Sequence, residues 1–340
     1  METQKGPIVI AGANGRVANH LAKMLLLKGH EVKAIARDIS KIRASQQAGA
    51  TLLEANFYDS IKLSKAFKDA QAVFVYSPLI LHSKNLNEDQ YTIVKSLIKA
   101  IKDAAVNNVV LLSSWGVELT EKSGGILGCR FFEQELEKIK DINTLILRPV
   151  WFMENFLYNV DLIKMSGING LAIKPNVKFP MVTTEDIAKV AFEYLNELHF
   201  TGKNILYIKS EKEYNMEEVT QILGTAIGRS GLKYIEFPQA IQKKGMVASG
   251  QLSANATDML IEINQCISKG ILKVDGNQNV VTTPTTLELF AKTTFASAFN
   301  NGVKPSLPGK LQGLFLKTFL SLAGRQLIKK ENISLDKKYS

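Results

Sequence analysis

Hydrophobic and polar positions follow two rhythms along the first 150 residues. Short apolar runs at 8–11, 50–54, 72–76, 108–112 and 144–147 have the length of buried strands, and 31–36 alternates with a period of two. Between them, apolar residues recur at helical spacing. Val17, Leu21, Met24 and Leu25 share one face before Gly29, and further helices are predicted near 39–48, over 60–68, near 87–104 and near 129–140. This alternation predicts an α/β fold of Rossmann type: a doubly wound parallel sheet, covered on both faces and joined by right-handed crossovers.

Beyond Pro149 the rhythm is irregular. The pattern predicts a helix within 151–165, a turn-rich stretch with room for a strand over 168–179, and helices at 184–195, 216–227 and 254–267. It adds a strand at 205–208 and an amphipathic helix over 283–299, opened by Thr283-Pro284-Thr285-Thr286. Residues 1–150, completed by parts of 183–210, read as the Rossmann domain. Residues 151–182 and 211–299 read as a smaller carboxyl-terminal lobe that would hold a substrate over the strand ends, and 300–340 as a linker and basic amphipathic tail.

The formal charge of +10 looks at first like a nucleic-acid signal. Eight Lys/Arg within 300–340 face only Glu331 and Asp336, so +6 of the charge sits in the tail and +4 remains for the body. Nucleic-acid binding is therefore not expected. In the tail, Gly302, Pro305, Pro308 and Gly309 mark a linker, after which Leu311, Leu314, Phe315, Phe319 and Leu322 repeat at helical spacing. Two uses fit this helix: docking on the body or on a partner, whether another protein or a second subunit, and weak contact of 310–330 with an anionic membrane surface. Cys129, Cys266 and the four histidines lack metal-ligand spacing, so no metal is expected. With no long apolar span and no signal-peptide core, the expected location is cytoplasmic, peripheral to a membrane at most.

Candidate chemistry begins at Gly12-Ala13-Asn14-Gly15-Arg16-Val17-Ala18, a G-x-x-G-x-x-G spacing with alanine in its last slot. Gly12 permits a tight turn, Gly15 lets the backbone approach phosphate, and Ala18 keeps the helix close to its strand. Because the motif follows a strand and opens a helix, the amides near Asn14, Gly15, Arg16 and Val17 are expected to receive a dinucleotide pyrophosphate. At the end of the second strand stands Arg37, with Lys41 one turn on. Together with Arg16 they favour NADPH over NADH, since a guanidinium matches a 2'-phosphate whereas an acid would take a free ribose hydroxyl. Adjacent Asp38 argues the other way. Asn56 and Phe57 are expected to flank adenine, and Tyr76-Ser77-Pro78 to pass near the nicotinamide ribose.

The chain resembles the NmrA-like group of atypical short-chain dehydrogenases/reductases over about residues 7–299. The likeness rests on GANGRVA, on Val109-Val110-Leu111-Leu112-Ser113-Ser114, and above all on Leu147-Arg148-Pro149-Val150-Trp151-Phe152-Met153-Glu154-Asn155. Thr183-Thr184-Glu185-Asp186-Ile187-Ala188 and the Thr283-Pro284-Thr285-Thr286 start extend it. It implies an NAD(P)-binding fold, and either an NAD(P)H-dependent reductase or a nucleotide-sensing regulator without catalysis. Arg148 is expected to tie its turn through Asp186 or Glu154, while Trp151, Phe152 and Phe156 line a wall for a flat substrate.

Ordinary members of that superfamily use a tyrosine and a lysine four residues later, the lysine lowering the phenol's pKa. Tyr91 and Lys95 have this spacing but precede the fifth strand, and the helix that should supply the pair, Gly128 to Leu136, has none. Water, Ser114, Glu133 or His82 are left as proton sources, unless the acceptor needs little acid catalysis. The preferred reading is an NADPH-dependent reductase of a small, flat, hydrophobic carbonyl, quinone or enone. The alternative is a noncatalytic NADP(H) sensor that regulates a protein partner.

Overall fold

The computed structural model describes residues 6–250, 252–274 and 278–301. Strand and helix alternate from the start: β1 (Ile8–Ala11), α1 (Arg16–Leu27), β2 (Val32–Ala36), a 3-10 turn at Ile39–Ile42, α2 (Arg43–Gln47), β3 (Thr51–Glu54) and α3 (Ser60–Phe67). There follow β4 (Ala72–Tyr76), α4 (Leu86–Asp103), β5 (Asn108–Leu112), α5 (Ile126–Glu137) and β6 (Asn143–Pro149). The rest of the chain forms β7 (Trp151–Phe152), a 3-10 stretch at Met153–Asn159, α6 (Val160–Ser166), β8 (Ile168–Leu171), β9 (Phe179–Val182), α7 (Thr184–Glu197) and β10 (Lys203–Ser210). It ends with β11 (Glu213–Tyr214), α8 (Met216–Ala226), β12 (Lys233–Glu236), α9 (Gln239–Ala248), α10 (Ala254–Ser268), β13 (Val280–Thr283) and a helix over 287–301 with a π-type middle at Ala291–Phe295.

Among the described residues the main sheet has eight strands in the order β13-β10-β6-β5-β4-β1-β2-β3, every pairing parallel. It is a Rossmann-type doubly wound sheet. Strand alternation sorts its side chains: Ile8 and Ile10 join the core under α1 and α7, whereas Val9 and Ala11 join the one under α3, α4 and α5. Helix α1 buries Val17, Leu21 and Leu25 on its inner face and packs on α7, and Gly29, at φ +84, carries the chain out of it. Truncating a fully buried leucine such as Leu21 to alanine would cost about 2–5 kcal/mol.

Beside β1 the winding reverses, with β2 and β3 on one side and β4 on the other. A crevice opens at such a reversal, outside the carboxyl ends of the strands. Around it are two small sheets, β11-β9-β7 and β12-β8. Strand β13, drawn from the 211–299 stretch assigned by its pattern to the smaller lobe, lies instead at the far edge of the main sheet.

The single helix predicted within 151–165 is divided. Trp151 and Phe152 pair with Met181 and Val182, so the chain leaves β6 as another short strand before it coils, and the α-helix begins only at Val160. The proposed tail helix over 310–330 lies outside the described residues.

Candidate functional site

The carboxyl ends of β1 and β4 are joined in register, Ile10 opposite Phe74, which brings the turn after β1 against the end of β4. The Ala13 amide bonds to the Ile35 carbonyl and the Gly15 amide to the Gly12 carbonyl, each in a normal 2.8–2.9 Å contact, so the turn is braced by β2 and by itself. The following amides, at the start of α1, have no acceptor within the helix, and no acidic residue stands in its first turn. This is an anion-receiving geometry. Gly12 is held at φ +67, where L side chains are strained, and a Cβ there would meet the Tyr76 ring, 2.7 Å from Cε1. A Cβ on Gly15 would stand 3.3 Å from the Gly12 carbonyl and from Tyr76 Oη, so in both positions it would crowd the Tyr76 phenol that packs on the turn. Ala18 is buried under the helix.

Asn14 and Arg16 are exposed, Val17 is buried, and the Arg16 guanidinium lies 5.7 Å over the ring of Tyr158, so the stretch after β7 reaches the glycine turn. At the end of β2, Arg37 is exposed and forms no hydrogen bond or ion pair with the described residues. Asp38 is committed elsewhere. Its carboxylate accepts from the Ser40 amide at 3.0 Å and hydroxyl at 2.6 Å, capping the 3-10 turn, and Lys41 stands 3.8 Å away. The Ser40 hydrogen bonds hold its pKa below the ordinary value. Past β3, Asn56 Oδ1 accepts from the Tyr58 amide at 3.2 Å, and the Phe57 ring meets Tyr76 edge-on with centroids 5.8 Å apart. The Ser77 hydroxyl is buried and has no partner among the described residues, while the Pro78 carbonyl accepts from Gln90 at 3.3 Å.

The ends of β5, β6 and β10 look different. Arg148 donates to Glu133 through Nε at 3.1 Å and through a second nitrogen at 2.5 Å. Its remaining nitrogen donates to Glu118 at 2.8 Å and to the Tyr207 hydroxyl at 2.7 Å, and that hydroxyl in turn donates to Glu118. Ser113 donates to Glu133 at 2.5 Å. Burial works against the guanidinium charge, but the hydrogen bonds and charge of Glu133, followed by those of Tyr207, outweigh it and raise the pKa of Arg148. Desolvation comes first for Tyr207 too, and with the bond to Glu118 it pushes the phenol up to about 12.

Arg148 therefore does not take Asp186 or Glu154. Strand alternation puts it with Ile146 on the α5 face, whereas Leu145 and Leu147 face the core that contains Met153 and Ile187. Glu154 instead accepts from the Thr184 amide and hydroxyl, and Asp186 from the Thr285 amide. Glu133, two-pronged on a guanidinium, is a carboxylate acceptor and not a free acid. Tyr91 packs on Phe131, centroids 4.7 Å apart, between α4 and α5. Cys129 is half-buried, and burial, then the Glu133 charge, push its thiol up to about 12.

Other expected positions are scattered. Ser114 donates to the neighbouring Trp115 carbonyl at 3.0 Å, and His82 is exposed in the loop after β4. Trp151 and Phe152 are half-buried; the Trp151 ring meets Phe179 edge-on at 5.9 Å, and its indole nitrogen is buried with no partner among the described residues. Phe156 is 0% exposed and belongs to the central core, so it is packing and not a substrate wall. Sequence reasoning missed Glu118 and Tyr207. Tyr207 is the register neighbour of Arg148 across β6 and β10, a relation that appears only once the strands are paired.

The chain fits the NmrA-like family over residues 4–288. The chain belongs to that family. Agroclavine dehydrogenase of Claviceps fusiformis is 27% identical to it over 266 residues, 75% of this chain and 86% of that protein. Solved structures share the fold. The NADPH-dependent quinone oxidoreductase of Escherichia coli, solved with NADPH, superimposes with a TM-score of 0.70 at 21% identity, covering 85% of this chain and 99% of that one. NmrA, a negative transcriptional regulator solved with NADP, gives 0.69 at 14% identity, covering 88% and 99%.

Proposed function

We propose that this NmrA-like protein is an NAD(P)H-dependent reductase that prefers NADPH and acts on a small, flat, hydrophobic carbonyl, quinone or enone. One observation carries the reading: the Gly12–Gly15 turn stands at the winding reversal, its glycines letting the backbone and the Tyr76 phenol come together where a Cβ would collide, ahead of a helix start free of carboxylates. The names of family relatives, a dehydrogenase and a quinone oxidoreductase, support the reaction class. The α1 amides and Arg16 would hold the pyrophosphate, Asn56 and Phe57 would flank adenine, and Ser77 and Pro78 would face the nicotinamide ribose. Arg37 would take a 2'-phosphate. The preference for NADPH rests on Asp38: its carboxylate is engaged by Ser40 and Lys41, while Arg37 at the end of β2 makes no hydrogen bond or ion pair among the described residues.

Bound reduced nicotinamide supplies a hydride. The chain's own contribution is to orient the acceptor against Trp151 and Phe152 and to keep the loop after β5 in place through Arg148. Glu133 is ion-paired and Ser114 is turned to a carbonyl, so the proton comes from solvent, which suits quinones and conjugated acceptors better than simple ketones. Calorimetric titration with NADPH and NADH, followed by NADPH oxidation with a panel of quinones and enals, tests this. Saturable NADPH uptake with turnover is expected, and uptake of neither nucleotide would sink it.

A noncatalytic sensor is the second reading, and the packing of α10 favours it. Ser253 bonds to the Leu81 and Ser83 carbonyls, Asn255 accepts from the Leu86 amide, and Glu262 accepts from the Gly124 amide, so α10 closes over the loops after β4 and β5. Tight NADP(H) binding without turnover, together with nucleotide-dependent capture of a protein partner, is its signature.

A further inference from the structure

Tyr76 has the side chain nearest the mouth of the glycine turn. Its ring is fixed edge-on against Phe57, its Oη would lie 3.3 Å from a Cβ on Gly15, and its hydroxyl makes one long bond, 3.4 Å to the Gly12 carbonyl. A donor at that distance is barely engaged. Beside it the Ser77 hydroxyl is buried with no partner among the described residues. Two under-used hydroxyls on consecutive residues, at the point where β1 meets β4, are what a polyanionic ligand would satisfy. We infer that Tyr76 is a positioning residue for the dinucleotide, its hydroxyl turning from the Gly12 carbonyl to a pyrophosphate oxygen when the nucleotide binds.

Burial pushes the phenol up to about 12, so it reaches the phosphates as a neutral donor and adds no repulsion. This role goes beyond the expectation that Tyr76-Ser77-Pro78 passes near the nicotinamide ribose. It also gives Gly12 a second purpose: the missing Cβ makes room for the phenol as well as for the turn.

The inference rests on the proposed binding of NADPH, and the test separates the two. Intact protein and the Tyr76→Phe variant, which keeps the ring and its Phe57 contact, are titrated calorimetrically with NADPH and with 2'-AMP, which carries the adenosine end but no pyrophosphate. The expected result is an NADPH affinity about tenfold weaker in Tyr76→Phe, with 2'-AMP affinity unchanged, as for one lost hydrogen bond to a charged group. Equal NADPH affinity in the two proteins overturns the role of Tyr76 and leaves the NADPH reading standing. An equal loss for 2'-AMP overturns the pyrophosphate assignment, and no uptake by the unaltered protein overturns both. Fluorine NMR of 3-fluorotyrosine-labelled wild-type protein is a second readout, taken on the unaltered side chain. The Tyr76 resonance, assigned by its absence from Tyr76→Phe, should move with NADPH and stay in place with 2'-AMP; no movement with NADPH counts against the inference.

Discussion

At the ends of β1, β2 and β4, donors outnumber their acceptors: Arg37 is unpaired among the described residues, Ser77 is buried with no partner, and Tyr76 makes one stretched bond. Across the sheet, at the ends of β5, β6 and β10, Ser113, Glu133, Arg148, Glu118 and Tyr207 are linked in one connected set of hydrogen bonds centred on Arg148. Both regions are polar and both lie at strand ends. Spare donors around a glycine turn can still accept an anion, as the proposed function requires, whereas a closed set of charges is a strut that holds α5 and the loop after β5. An arginine therefore says little about ligands until its partners are counted.

The contrast breaks most severely at the strut. Arg148→Leu leaves the Glu133 carboxylate, only 11% exposed, without its counter-charge, and unfolding in urea should show a loss of about 3–5 kcal/mol. A loss under about 1 kcal/mol would mean that the cluster is not structural. Next comes Gly12→Ala, which forces a side chain into φ +67 and against the Tyr76 ring; about 1–3 kcal/mol is expected from the backbone alone, with more from the collision. Adding Tyr76→Ala should recover the collision but not the backbone strain, and a double-mutant cycle with no coupling would contradict the close approach.

On the donor-rich side, Arg37→Ala should weaken NADPH about tenfold or more and leave NADH nearly untouched, as read by calorimetry. Equal losses for both nucleotides would remove the 2'-phosphate from Arg37. The smallest effect belongs to Cys129. With the thiol pushed up to about 12, its thiolate is scarce at pH 8, so iodoacetamide should label it in unfolded but not folded protein, by mass spectrometry. Rapid labelling of the folded chain would show that α5 is open there.

The glycine spacing and the alternation of apolar runs with helices made the parallel sheet, its binding turn and the family legible, because each depends on residues a few positions apart. Arg148 shows where that stopped. Its choice of Glu133 follows from which face of β6 it occupies; the parity with Ile146 is in the sequence, but which helix covers that face is not. Phe156 is aromatic and stands in the family stretch, yet its ring fills the central core. Helix α9 and strand β12 carried too weak a pattern to be found, and β13 is held as the edge strand of the sheet by its pairing with β10.

Periodicity and glycine placement, which act through local backbone sterics and the burial of one face, determined from the sequence alone that this chain winds a Rossmann sheet with a tight glycine turn after its first strand. Only the tertiary structure decided which polar groups are spent and which are spare. That Tyr76 meets Gly12, that Tyr207 meets Arg148 and that Asp38 is turned into a cap depend largely on the register of strands distant in sequence, set by the packing of the whole sheet.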